Sequence, residues 1–453
     1  MVRASPKVVS LQEMQWSSIP LVSVLRDRSP RVIYTIFWLL VYCAGIVWSK
    51  FLLSVSMWAL AAGAFIDIRS GAPGWIRPRA GWPAMVRSLL RDPKYALFIV
   101  CFLLVAISGL YSADQADWLT RLRVKVPFLL LPVVFYFLPS FEEERVWEDA
   151  GRQAPNARLL FFQGAIIIAY VSMIIIAVKY MYRADEYKAM IYVGQHIPTP
   201  VHPIRYSLYL VIAGVMAVEL WRSASARWLQ VLYALATLGI VAFLHFLAVR
   251  SGLAILYVLL CIGLFFWLRK RDLLRWIPVI GLVICGLAYL AYSQLPSLQT
   301  KIDYMRWDIT QVDSEQVADY SDAKRLISIK AAAQLAQEHP IVGVGLGDLR
   351  NELQPIYRES YGVDIRTRPH NQFMTYLAGA GMLGLLLFLL SFYGPLYASK
   401  RRSAFLWAIY IATTLSCMVE NTLDGAVGTA LCLGLILWEI RQLDDRNLND
   451  EKY

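Results

Sequence analysis

Apolar residues in this chain come in long unbroken runs separated by short polar or basic stretches. Twelve runs stand out, at 32–48, 51–68, 95–111, 126–139, 159–181, 204–221, 229–249, 251–268, 276–293, 372–398, 404–419 and 425–440. A bilayer core takes about 20 apolar residues per helix, with a range of about 17–25, so each run predicts a membrane-spanning helix. The 126–139 run fits least, because it holds Pro127, Pro132 and Pro139. Prolines are nonetheless tolerated in membrane helices when neighbours satisfy the freed backbone groups. The polar stretch before it, "SADQADWLTRLRVK", is read as an outer loop.

Lysine and arginine concentrate in alternate loops. The N-terminal tail, 69–94, 140–158, 222–228, 269–275, 399–403 and the C-terminal tail carry most of the basic clusters. The positive-inside rule places that set in the cytoplasm, and an even span count puts both termini there. The division expected is nine helices over 1–293, a large outer loop over 294–371, and three helices plus a cytoplasmic tail over 372–453. Inside the large loop, Ile327, Ala331, Leu335 and Ala336 recur at helical spacing and Pro340 ends the run, which predicts an amphipathic helix. The "GVGLGDLRNEL" that follows predicts a tight turn, with Asp348 as cap of a short helix.

Composition agrees with the pattern. The chain of 453 residues is 58% hydrophobic and 17% charged, whereas soluble proteins carry about 45–50% apolar and about 25% charged residues. The fold class expected is an all-α polytopic membrane protein. The net charge of +11 is dispersed among the loops and does not point to nucleic acid. The six cysteines fall in apolar runs and read as small buried hydrophobes. No metal-ligand spacing such as HExxH or a Cys cluster is present, so no metal is expected.

Ionisable groups at membrane depth are costly and usually functional. Three stand out: Arg205 in "TPVHPIRYSLYL", Arg250 in "FLAVRSGLAIL", and His370 at the start of the 372–398 run. Each has a plainer reading. The arginines can be interfacial anchors, and His370 can be a polar helix-start residue beside Asn371, a good N-cap type. All three come out at the same outer level, however, and together they suggest chemistry. Guanidinium groups bind phosphates through a rigid fork of donors. A neutral histidine can take a proton from a hydroxyl. His202 lies close enough in sequence to Arg205 to line the same cavity, whereas His245 reads as a buried, satisfied histidine. Either of the loop pairs Asp114/Asp117 and Glu420/Asp424 could contribute a carboxylate to the site, although two acids near a loop are usually solvated.

These residues resemble the O-antigen ligase family of the bacterial ligase–polymerase superfamily. The family's signature is a histidine followed by Asn, Ser or Gln, nine residues, then Gly-x-x-Gly. Here it is His370-Asn371, Gln372 to Ala380, and Gly381-Met382-Leu383-Gly384. The Pro340-x-x-Gly343-x-Gly345 segment is similar to one in the family's large loop. Arg250 in "RSG" is similar to its Ser-Arg-Gly element, with Val249 in place of serine. The resemblance implies a GT-C-like glycosyltransferase of the inner membrane, with its active site facing the periplasm. The donor it implies is a glycan on undecaprenyl diphosphate, and the acceptor is a hydroxyl of lipid A–core. His370 would be the base of a metal-independent inverting transfer requiring no cofactor. Arg205 and Arg250 would bind the diphosphate, and Asn371, Arg366, Arg368 and His202 are possible substrate contacts. The small residues of "YLAGAGMLG" read as a helix-packing face, or else as a groove for a polyprenyl chain. A polysaccharide polymerase would use the same donor. A twelve-helix transporter would need ionisable residues or broken helices within the membrane, and His245 is almost the only such group in the runs.

Overall fold

The computed structural model describes residues 30–68, 76–79, 81–138, 157–192, 195–279 and 321–450, with isolated positions between 281 and 303. Its helices are α1 (Pro30–Trp48), α2 (Lys50–Phe65), α3 (Trp82–Arg91), α4 (Pro93–Ser108), α5 (Gln115–Phe137), α6 (Ala157–Tyr182), α7 (Ala184–Tyr192) and α8 (Pro203–Ser223). There follow α9 (Arg227–Leu247), α10 (Arg250–Lys270), α11 (Ser321–Glu338), α12 (Leu349–Tyr361), α13 (Gln372–Ala398), α14 (Ala404–Val419) and α15 (Ala426–Asp450). A 3-10 turn at Thr422–Asp424 joins the last two. One departure from an all-α fold is a two-stranded antiparallel ribbon, β1 (Ile66–Ile68) against β2 (Ile76–Pro78), with Ile66 opposite Pro78.

Seven of the described helices are long and apolar enough to cross a membrane: α1, α6, α8, α9, α10, α13 and α15. α2, α4 and α14 are apolar but shorter. Half of the 276–293 run falls outside the described residues; the other runs each land on a helix. Burial sorts them. Most of the spanning window of α15 (89%) and α8 (72%) is inside the bundle, against 17% for α9 and 22% for α10. The inner helices therefore organise the protein core, and the outer ones leave apolar side chains for lipid. Cys261 and His245 both face outward from this layer, where buried positions were expected. The His245 ring is satisfied at 2.7 Å by Val241 O and at 2.7 Å by the Tyr257 hydroxyl.

The expected outer loop "SADQADWLTRLRVK" is largely helix. α5 starts at Gln115, capped by Asp114, whose carboxylate accepts from Asp117 N–H at 2.9 Å. The misreading has a physical cause. Arg121 and Lys125 look like loop residues in sequence, but both are buried, at 5% and 2% exposure, Arg121 paired with Asp117 one turn back on α5 and Lys125 with Asp424 from the turn before α15. Buried charges are stable only when so paired. Asp348 also departs from expectation. It precedes α12, but its side chain makes no cap there. Its two oxygens instead accept from the N–H groups of Ala113 and Asp114, at 2.8 and 2.6 Å, which ties the entry to α5 to the start of α12.

α11 and α12 build a second core beside the bundle. Ile327, Ala331, Leu335 and Ala336 are buried as their spacing predicts, against Leu349, Leu353 and Tyr357 of α12 and Ala378 of α13. The connection between the two bodies passes through α13. That helix is broken at Gly381, where φ is 67° and ψ −170°. The segment Pro340–Gly345 threads the break. Pro340 O and Ile341 O accept from Met382 N–H and Leu383 N–H at 2.8 and 3.2 Å, and Ala378 O and Gly379 O accept from Val344 N–H and Gly345 N–H at 3.3 and 2.9 Å. The glycine signature thus serves a backbone junction, which neither sequence reading of those small residues anticipated. A Cβ on Gly381 would lie 2.2 Å from Ile341 C and O.

Candidate active site

His370 enters through the loop between α12 and α13, one residue before the N-cap of α13. Asn371 is that cap: its side-chain oxygen accepts from Phe373 N–H and Met374 N–H at 2.9 and 3.0 Å, and its amide donates to Met418 O at 2.9 Å. This fixes the backbone at the histidine. His370 N–H donates to Ser328 Oγ on α11 at 3.1 Å. The imidazole Nδ1 is shut off from solvent, and Glu420 Oε2 faces it at 3.5 Å. The side chain as a whole keeps 25% exposure. Glu420 ends α14, and Asn421 beside it is anchored to the same loop, donating to Pro369 O at 2.5 Å and accepting from Thr375 Oγ1 at 2.8 Å.

Arg205 sits on the first turn of α8, with Nε buried and without a hydrogen-bond partner among the described residues. Its guanidinium lies against the backbone at Gly425, where a Cβ would come within 2.7 Å of Cζ and Nη2. A side chain at position 425 would push the guanidinium out of this place. His202, Arg205, Glu420 and His370 are electrostatically coupled. Burial lowers the His202 pKa, and Arg205 lowers it further, so His202 is neutral at pH 7. Burial would raise the Glu420 carboxyl, but His370 outweighs it, helped by Asn421 N–H and Arg205, and the net shift is downward. Glu420 is therefore an anion facing the imidazole.

Arg250 opens α10 after Ala248, a non-glycine residue at φ 51°. It is exposed, and no direct contact with His370 is seen among the described residues. The start of α10 does lie level with the start of α8, since a Cβ on Gly252 would come within 2.4 Å of Ser207 Cβ. Arg205 and Arg250 thus stand at one end of the bundle. Arg366 and Arg368 turn toward α5: Arg366 reaches Asn351 Oδ1 at 2.6 Å, and Arg368 reaches Asp117 Oδ1 at 3.1 Å. Asp117 and Asp424 are both drawn into ion pairs, where solvated carboxylates were expected. Glu420 stood in the sequence only as one of two loop pairs able to contribute a carboxylate; its facing of His370 had no signal, because the two are fifty positions apart along the chain.

The matched family model is described as "O-Antigen ligase" and covers residues 236–389. Over that stretch the chain is similar to the O-antigen ligase family. No curated protein matches the chain. The ligase-family segment holds Arg250, His370 and the Gly381 junction; Arg205 precedes it and Glu420 follows it. The similarity sits in a chain whose described residues include seven helices long and apolar enough to cross a membrane.

Proposed function

We propose that the protein is an O-antigen ligase, moving a glycan from undecaprenyl diphosphate to a hydroxyl of lipid A–core on the periplasmic side of the inner membrane. The observation that carries the mechanism is the imidazole of His370 with Nδ1 turned to an anionic Glu420. A carboxylate at Nδ1 holds the proton on that nitrogen and leaves Nε2 as the acceptor. Nε2 then takes the proton of the attacking hydroxyl. The hydroxyl oxygen bonds to the anomeric carbon from the face opposite the diphosphate, the carbon–oxygen bond to the diphosphate breaks, and its electron pair leaves with the phosphate. Negative charge grows on the leaving group, and preorganised cations lower the barrier to its departure. Arg205 and Arg250, at one end of the bundle, are assigned that role.

The deciding experiment is transfer by purified protein offered lipid A–core or a lipid-linked repeat as acceptor. Ligation to lipid A–core is expected. Polymer formed on the lipid-linked repeat alone would assign the chain to the polymerases of the same superfamily. Lysine at position 205 or 250 should rescue donor use poorly, because it lacks the bidentate fork. Lysine variants equal to the parent would reduce both arginines to membrane anchors.

A further inference from the structure

A second cationic compartment lies across the Arg368–Gln372 stretch from His370. It is a cavity of about 220 Å³ lined by Arg121 and Lys125 of α5, Arg350 of α12, Arg368, Asp424 and Tyr376. His370, Arg205 and Arg250 are not among its walls. Residues of one short stretch divide between the two compartments. Arg368 reaches Asp117 on α5, His370 faces Glu420, and Gln372 donates to Asp424 Oδ1 at 2.9 Å.

The charges around this cavity do not balance. Asp117 is shared by three guanidinium groups: Arg121 at 3.1 Å, Arg350 at 3.3 Å and Arg368 at 3.1 Å. Asp424 is held by Lys125 at 2.7 Å. Four cations therefore face two carboxylates. The guanidinium groups are also short of acceptors. Arg121 Nη2, Arg350 Nε and Arg368 Nε are buried without a hydrogen-bond partner among the described residues. Arg121 itself is only 5% exposed. Burial lowers the pKa of Arg350, and Arg368 adds to the effect. Uncompensated like charges at close range are costly, and a bound anion with several oxygens relieves both the charge and the donor deficit. Arginine forks match a tetrahedral oxyanion in shape as well as charge.

We propose that this cavity binds a phosphoryl group carried by the acceptor saccharide, separately from the donor cations Arg205 and Arg250. The phosphoryl class follows from the two uncompensated charges and the forked donors. Assignment to the acceptor rests on the transfer reading above: the donor diphosphate occupies the Arg205 side, so the compartment across the His370 loop receives the other substrate.

The test separates the two levels. In an R205Q/R250Q background, inorganic phosphate is titrated calorimetrically into the full chain in detergent at low salt. Saturable binding is expected, and R350Q should weaken it at least tenfold, with R350K recovering only part of the loss because lysine keeps the charge but lacks the fork. Arg350 is partly exposed, so this variant is expected to fold; matching elution and melting profiles confirm it. A second measurement needs no substitution: phosphate should protect Arg350 and Arg368 of the native chain from phenylglyoxal. Absent binding, binding unchanged by R350Q, or unprotected arginines would overturn the phosphoryl site, whatever the enzyme transfers. In the transfer assay, R350Q should raise the KM of phosphorylated acceptor about tenfold and leave that of phosphatase-treated acceptor unchanged. A rise in donor KM alone, or no change in either, removes the acceptor assignment.

Discussion

At the residue scale, the dyad of His370 and Glu420 makes two substitutions diagnostic. General-base help is typically worth about 10²–10⁴ in rate, so H370A should lose about that much turnover while still binding donor. Lipopolysaccharide gels of a complemented knockout read the outcome, and a normal ladder from H370A would remove the base from the mechanism. In the proposed mechanism Glu420 acts through the imidazole as a positioning residue. E420Q should lower kcat by about 10–10³-fold with little change in donor KM, and E420D should recover part of it. A loss seen in KM instead would mean that Glu420 contacts substrate. The sequence made His370 and its cap at Asn371 legible because both follow local rules, the helix-start pattern and the spacing to Gly381. Glu420 was not legible, because an acid at a loop edge looks solvated until its distant partner is known. Lys125 was hidden for the same reason: it pairs with Asp424, an acid that only the fold brings near.

At the scale of elements, the break in α13 decides how the loop and the bundle meet. The apolar runs announced eleven of the fifteen described helices, and the 3.6-residue period announced α11, because both signals are local; α3 and α7 lie in stretches read as loops. The break was silent, because "AGAGMLG" is equally compatible with an unbroken helix in close contact with a neighbour. Gly381 combines a backbone conformation open essentially to glycine with a backbone neighbour where a Cβ would go. G381A should therefore destabilise the protein by about 1–3 kcal/mol from strain alone, and more from the collision. Gly263 of α10 supplies the control, since a Cβ there meets nothing within 4 Å. G263A should be neutral or stabilising by up to about 1 kcal/mol, as expected of a helix-interior Gly→Ala change. Thermal unfolding in one detergent compares the two. Equal melting temperatures would show that the Pro340–Gly345 segment does not depend on the glycine.

For the whole molecule, the pair of Lys125 and Asp424 joins α5 to the turn before α15, the most buried spanning helix described. Lys125 Nζ lies 2.7 Å from Asp424 Oδ1 and donates to Leu423 O at 2.7 Å, while Gln372 Oε1 accepts from Leu423 N–H at 3.0 Å. Three sequence-distant segments thus meet at one buried charge pair. Breaking such a pair by removing one partner costs about 3–5 kcal/mol, whereas replacing both by apolar groups is often neutral. D424N should accordingly unfold earlier than K125M/D424L. Acid gives the same contact a pH signature. Burial alone would raise the Asp424 carboxyl, but Lys125, Arg121 and Arg368 hold it well below the usual aspartate range. Glu420 is depressed as well. A carboxyl with a lowered folded pKa adds stability that is fully present above its unfolded value, about 4, and is lost as pH falls toward the folded value. The melting temperature should therefore be unaffected by these two groups between pH 5 and 8 and should fall below pH about 4. In D424N that acid-side fall should be shallower, because one of the two protons that unfolding takes up is gone. An equally steep fall in D424N would place the acid sensitivity elsewhere and leave the Lys125 contact without a role in holding α5 to the bundle.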